Sequence, residues 1–292
     1  MKTLLLTDCA APPVRQAHKA VITTPAILRR AAAALRALRR LNPPLAWAGW
    51  LNVGLALLAL GLLPFDHRLV TGALVWLKPL KFSLSIVAYA WTLAWLLASL
   101  PAPARRAVRI ISWGVAVSML VEQAVIFVQA ARGTTSHYNV ASALDGGLFG
   151  LMGVFILVNT VLTVWALYLV WRYRPAGAAS YVWGVRLGVL VFLVGSVLGG
   201  IMIRHLGHTV GAPDGGPGLP ALGWSTRAGD LRLAHFLGMH ALQALPLLGW
   251  ALARWWPHEA PALTWLGAAA YAAAVAALLV QAMAGQPLWA VR

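Results

Sequence analysis

Three residues inside long apolar runs can hold or exchange a proton: Lys81, Glu122 and His240. Charge is costly in hydrocarbon, so such side chains are functional candidates by default. Glu122 lies roughly 12 Å from the near end of its run at 1.5 Å per residue. Ser118, Glu122 and Gln129 share one helical face. Lys81, Ser85, Tyr89 and Thr92 form a stripe on a second run, and His240 with Gln243 one turn further in occupies a third. Lys81 and His240 fall at nearly the depth of Glu122, so the spacing predicts a Lys81–Glu122 contact, with Lys78 the second-choice partner and His240 close by. In acid–base chemistry Glu122 would carry the proton, Lys81 would tune it and His240 would assist. The bland alternative is an ion pair that only fixes helix packing.

Six of the eight histidines fall toward the side that receives the two long loops: His67, His137, His205, His208, His235 and His240. Imidazole is a common metal ligand and titrates near neutral pH. A site built from His137, His205, His208 and His235 makes a divalent metal a candidate cofactor. Haem is the weaker candidate, because two deep histidines on facing helices are lacking. Each histidine taken alone reads as an interfacial hydrogen-bonder. There is no HExxH, no GxxxxGK[ST] and no GxSxG. Cys9 is the only cysteine, which rules out an internal disulfide and a thiolate cluster. Asp66, Asp145, Asp214 and Asp230 gather on the same side, as do Arg132, Arg204, Arg227 and Arg232. They read either as a charged cup for a polar ligand or as pairs that hold loops down. Lys78, Gln129, Arg132, Asn139, Asp145, Asp230, Arg232 and Gln243 are the candidate ligand-binding residues.

These side chains need a scaffold, and composition names it. Of 292 residues 61% are hydrophobic and only 10% charged, with a mean hydropathy of +0.76. Soluble domains carry about 25% charge, so the chain is a multi-pass membrane protein. A span needs about 20 apolar residues. Seven segments qualify: 45–63, 73–100, 109–130, 148–171, 184–203, 233–253 and 263–283. The fold class is therefore an all-α integral membrane bundle of seven helices (residues 45–292) behind a basic tail (1–44). The tail carries eight basic residues opposed only by Asp8, a large share of the net charge of +16. Basic residues flanking a first span favour the cytoplasmic side, which predicts the N-terminus inside, the C-terminus outside and a bacterial inner-membrane location. Anionic lipids, not nucleic acid, are the expected partners of the tail. Residues 25–41 read as a juxtamembrane amphipathic helix, ended by Pro43-Pro44. The opening MKTLLLTDCA is too short in apolar residues for a signal core, so the first span is expected to be an uncleaved anchor.

Loops 131–147 and 204–232 are long enough to be functional. Trp224 and Leu222 in the second suggest a folded lid. A faint internal echo links Leu77-Lys78-x-x-Lys81-Phe82 to Leu231-Arg232-x-x-His235-Phe236, and Val128-Gln129-Ala130-x-x-Gly133 to Val280-Gln281-Ala282-x-x-Gly285. It suggests parallel repeats of three helices around a fourth, as occurs in transporters.

The strings WLKPLKFSLS (76–85), EQAVIFVQAARGTTSHYN (122–139) and the stretch 208–247 resemble an uncharacterised family of bacterial multi-pass inner-membrane proteins. That resemblance implies a fold of about seven spans and no particular activity. The adiponectin-receptor and alkaline-ceramidase hydrolases are similar in helix count and N-terminal orientation. Their HxxxH pair is missing from this sequence, and their function is not carried over.

Three functions stay open on the sequence. One is a membrane enzyme, metal-dependent or not, acting on a lipid or small polar molecule. The second is a transporter or solute-binding protein. The third is a structural or sensory subunit. The scarcity of polar groups in the inner half, apart from Asn159, Thr163, Thr92 and Arg186, weighs against transport.

Overall fold

The computed structural model describes residue 33 and residues 35–289. Most of the basic tail, including most of the expected helix 25–41, lies outside the described residues. Residues 35–41 are helical.

Seven long helices account for the seven apolar segments: α1 (Pro43–Leu62), α2 (Leu77–Ala98), α3 (Arg105–Arg132), α4 (Ala143–Arg172), α5 (Ala179–His205), α6 (Leu231–Trp255) and α7 (Ala260–Met283). All are apolar and long enough to cross a bilayer. The chain is an all-α bundle of seven membrane helices. Two-residue strands are its only sheet among the described residues: β1 (Leu69–Val70) with β2 (Ala73–Leu74), and β3 (Thr209–Val210) with β4 (Gly229–Asp230).

Local chemistry sets the boundaries. Pro43 and Pro44 start α1 rather than merely ending what precedes it, because a proline in the first turn sacrifices no helical hydrogen bond. Asn42 caps α1 and donates from Nδ2 to Ser112 Oγ at 2.8 Å, tying α1 to α3. Several helices outrun their apolar cores. α4 begins at Ala143 because Ser142 caps it, accepting from Asp145 N at 3.1 Å. The loop expected over 131–147 shrinks accordingly. α6 begins behind Asp230, which accepts from Arg232 N at 3.0 Å.

α1, α2 and α3 pack on one another, as do α5, α6 and α7; α4 bridges α3 to α5, and α2 meets α6 between the groups. The tightest seam is α5–α6. There Gly184 and Gly188 lie against Leu245 and Pro246, and Gly195 against Gly238. Small residues let helix backbones approach where no hydrophobic force separates helix from lipid. The main apolar core, including Leu45, Tyr89, Leu93, Ile111, Leu169 and Phe192, fills the space among α1 to α6.

The two groups finish alike. α3 ends at Gly133 and α7 is followed by Gly285, both at φ +73°, a left-handed conformation that favours glycine. Gly133 N donates to Ala130 O at 2.9 Å, and Gly285 N to Ala282 O at 3.0 Å. Gln129 Nε2 donates to Thr135 O at 3.2 Å, and Gln281 Nε2 to Pro287 O at 2.9 Å, each six residues on. A short ribbon precedes the middle helix of each group. The first sends Arg68 to Ala131 O at 3.1 Å, and the second brings Gly229 against the Ala282 carbonyl. Gly72 of the first ribbon abuts Gly215 of loop 206–228, so ribbons and loops share one end of the bundle.

Candidate functional site

At that loop-rich end, α2, α3 and the loop 133–142 bring three groups into line. Lys78, in the first turn of α2, has Nζ 3.2 Å from His137 Nδ1. His137 Nε2 faces Glu122 Oε1 at 3.4 Å. With the ammonium donating to Nδ1, the neutral ring carries its proton on Nε2, toward the carboxyl. Ser136 Oγ lies 3.1 Å from the same Nδ1. Glu122 is 3% exposed, and its Oε2 has no hydrogen-bond partner among the described residues.

The sequence builds this line by fixing the loop that supplies the imidazole. Gln129 Nε2 donates to Asp145 Oδ1 at 2.8 Å, and Arg132 reaches the same oxygen at 2.6 Å. Asn139 Nδ2 donates to Thr134 Oγ1 and Thr135 O, both at 3.0 Å. Tyr138 takes φ +59°, a turn conformation that a bulky residue adopts only under constraint. His137 then dips among Phe82, Tyr138 and Phe149, at ring separations of 5.6, 5.9 and 6.4 Å. Burial, then the Lys78 charge, then His235 hold its pKa well below the ordinary histidine value, so the ring is neutral. Burial also pushes the Tyr138 phenol up to about 12. Beside Glu122, Gln123 secures α2 to α3 by donating to Ser83 Oγ at 2.6 Å and Pro79 O at 3.1 Å.

The loop 206–228 roofs the α2–α6 junction. Lys81 Nζ donates to Leu222 O at 3.1 Å, and Arg232 donates to Gly223 O while chelating Asp230. Trp224 meets Phe236 edge-on at 5.6 Å, and Phe236 meets His240 at 4.3 Å. Asp214 pins the loop's start, accepting from Thr209 N at 2.8 Å and facing His208 Nδ1 at 3.2 Å. Burial and the Arg232 charge, opposed by Asp214, depress His208 to about 4. Asp230 stays low despite burial because Arg232 and two backbone N–H groups bind it.

Several expectations change here. Lys81 contacts the lid carbonyl, not Glu122; the lysine one turn earlier, on a neighbouring face, reaches toward it through His137. His240 is not in that line: its Nδ1 lies 3.3 Å from Gln243 Oε1, and Gln243 Nε2 donates to Ala88 O and Thr92 Oγ1, each at 3.3 Å. The four histidines expected at a metal do not converge. His205 Nε2 donates to Thr209 O at 3.0 Å, His235 Nδ1 to Gly195 O at 2.8 Å, His208 faces Asp214, and His137 sits between Lys78 and Glu122. Among the described residues no three of His, Cys, Asp and Glu are grouped to hold a metal. Gln129, Arg132, Asn139 and Asp145 close on one another or on nearby loop groups, as Asp230 and Arg232 do at the lid. They read as the framework of the site rather than as its ligands.

Sequence reasoning ranked Lys78 second and missed Gln123, Tyr138 and the His208–Asp214 pair. The His137-Tyr138-Asn139 step lies in a loop and gave no periodic signal. Deeper in the bundle, Tyr89 OH lies 3.0 Å from both Asn159 Oδ1 and Thr163 Oγ1 and stacks on Phe192. A cavity of 550 Å³ between α1 and α3 is walled by apolar residues such as Trp47, Leu51, Trp113 and Leu120 and includes none of these polar groups.

No protein-family profile, curated protein or solved structure matches the chain.

Proposed function

We propose that the roofed recess binds a small polar molecule or lipid head group and performs proton transfer on it, making the protein a membrane enzyme of acid–base type. The supporting observation is the Lys78–His137–Glu122 line, in which a buried carboxyl keeps one oxygen without a partner. A structural ion pair would satisfy both oxygens. Here Glu122 takes or gives the proton, the neutral His137 ring relays it, and Lys78 holds the local charge. No metal enters this reading. The recess faces the cell exterior if the basic tail holds the N-terminus in the cytoplasm, and the membrane is then a bacterial inner membrane. Anionic lipids remain the proposed partners of the tail.

The test is consumption of small molecules and lipids from a cell extract by purified protein, followed by mass spectrometry. General acid–base groups are worth about 10²–10⁴ in rate. At least one compound should disappear in a manner lost with Glu122→Gln and with His137→Ala. Identical profiles for wild type and variants would remove the enzyme reading.

The second reading is a transporter or solute-binding protein. Its specific support is the matched ending of the two three-helix groups, which meet at α2 and α6 where the recess lies. The polar stripe on α2 runs inward through Tyr89 to Thr92, about 22 Å along the helix from its start. Uptake by reconstituted vesicles, abolished by Glu122→Gln, would favour it over catalysis.

A further inference from the structure

The missing partners in the recess describe its ligand. Lys81 is half-buried, and its one side-chain hydrogen-bond partner among the described residues is a neutral carbonyl, Leu222 O. No carboxylate lies within 4.0 Å of Lys78 or Lys81 among the described residues, whereas Arg132 and Arg232 each have one. Both lysines stand in the opening turns of α2, where the helix dipole is positive and favours an anion. A neutral carbonyl leaves the Lys81 charge without a direct counter-charge among the described residues. On the far side of the His137 ring lies the complementary group. Glu122 Oε2 is buried and accepts from nothing, although a buried acceptor without a donor costs about 1–3 kcal/mol.

Counting Glu122, Asp214 and Asp230 against Lys78, Lys81 and Arg232, the recess is balanced in charge. A simple anion would upset that balance and leave Glu122 unsatisfied. A simple cation would leave Lys81 unsatisfied. We infer that the recess takes a zwitterion, with its acidic group on Lys81 and Lys78 under the Leu222–Trp224 lid and its ammonium on the free oxygen of Glu122. This rests on the reading of the recess as a ligand site and adds the substrate class. The same chemistry occurs in a free amino acid and in a phosphoethanolamine head group.

The experiment uses the full chain in detergent and in nanodiscs. Thermal stabilisation and calorimetric binding are measured for glycine, β-alanine and phosphoethanolamine, against acetate, inorganic phosphate, methylamine and ethanolamine as single-headed controls. At least one zwitterion should bind at least about tenfold tighter than every single-headed control. Lys81→Met and Glu122→Gln should each weaken it by about tenfold or more, as expected for a lost charged hydrogen bond, and Lys81→Arg should retain it. Binding of the free compounds assigns a soluble ligand. Stabilisation only in nanodiscs containing phosphatidylethanolamine, absent with phosphatidylglycerol alone, assigns a lipid head group. Equal binding of phosphate or acetate, indifference to Glu122→Gln, or no binding of any probe in either setting overturns the inference. Tight zwitterion binding with no substrate consumed in the extract assay keeps the ligand class and discards catalysis.

Discussion

Replacing Glu122 by glutamine should barely change stability, and the size of the change separates chemistry from packing. Among the described residues the carboxyl's one polar contact is His137 Nε2 at 3.4 Å, longer than the 2.7–3.2 Å of a good N–H···O bond. Its other oxygen loses nothing because it has no partner. The substitution therefore removes one weak contact and one buried carboxyl, for a net change below about 1 kcal/mol. The neighbouring residue sets the scale. Gln123 donates to Ser83 Oγ at 2.6 Å and to Pro79 O at 3.1 Å, so Gln123→Ala should cost about 2–3 kcal/mol through two lost bonds and two stranded acceptors. Both can be followed by tryptophan fluorescence during denaturation in mixed detergent, with 15 tryptophans as reporters. A loss of about 3–5 kcal/mol for Glu122→Gln, equal to or above that of Gln123→Ala, is the signature of a broken structural ion pair. That result would refute the reasoning.

Stability should fall as pH drops from about 6.5 toward 4. His208 titrates near 4 when folded against an ordinary 6.5, and His137 is depressed in the same direction; the unfolded chain then binds more protons, so the stabilisation is complete above 6.5 and lost below it. His208→Gln should flatten the profile by about 2 kcal/mol between pH 7.5 and 4.5, and an unchanged profile would contradict this. At the α5–α6 seam, a Cβ on Gly184 would sit 2.3 Å from Leu245 O, whereas one on Gly200 meets nothing within 4 Å. Gly184→Ala should therefore destabilise by about 1–3 kcal/mol or more and Gly200→Ala should stabilise slightly, read from the same denaturation curves. Of the two matched glutamines, Gln129 also binds Asp145 and receives Arg132, while Gln281 holds only Pro287 O. Gln129→Ala should cost about 2–3 kcal/mol and Gln281→Ala about 1; equal losses would mean that the Asp145 network adds nothing.

The scaffold was legible because hydrocarbon demands long apolar runs, and all seven appear as helices. The ends were less legible. Ser142 carries α4 past its apolar core by capping it, and hydropathy is blind to a cap. The echo around Gln129 and Gln281 could be read because the same C-terminal turn needs the same glycine and the same glutamine reach. Depth along each helix singled out Glu122, which the structure places at one end of the Lys78–His137–Glu122 line. It misassigned Lys81 because helices do not start at equal heights: α2 starts at Leu77, four residues beyond the start of its apolar run, and Lys78 rather than Lys81 turns toward loop 133–142. The histidines misled for a different reason. Clustering on one side of a membrane brings residues to one end of a bundle, but a metal needs them at one point; His205 and His235 instead meet backbone carbonyls, His208 meets Asp214, and His137 lies between Lys78 and Glu122.

The convergence of Lys78, His137 and Glu122 is most directly tested by the ¹⁵N resonances of histidine-labelled protein in nanodiscs. Lys78→Met and Glu122→Gln should each shift the His137 nitrogens by several ppm, from opposite sides of the ring, and leave His240 in place. A His137 signal indifferent to both substitutions would mean that the three groups do not meet.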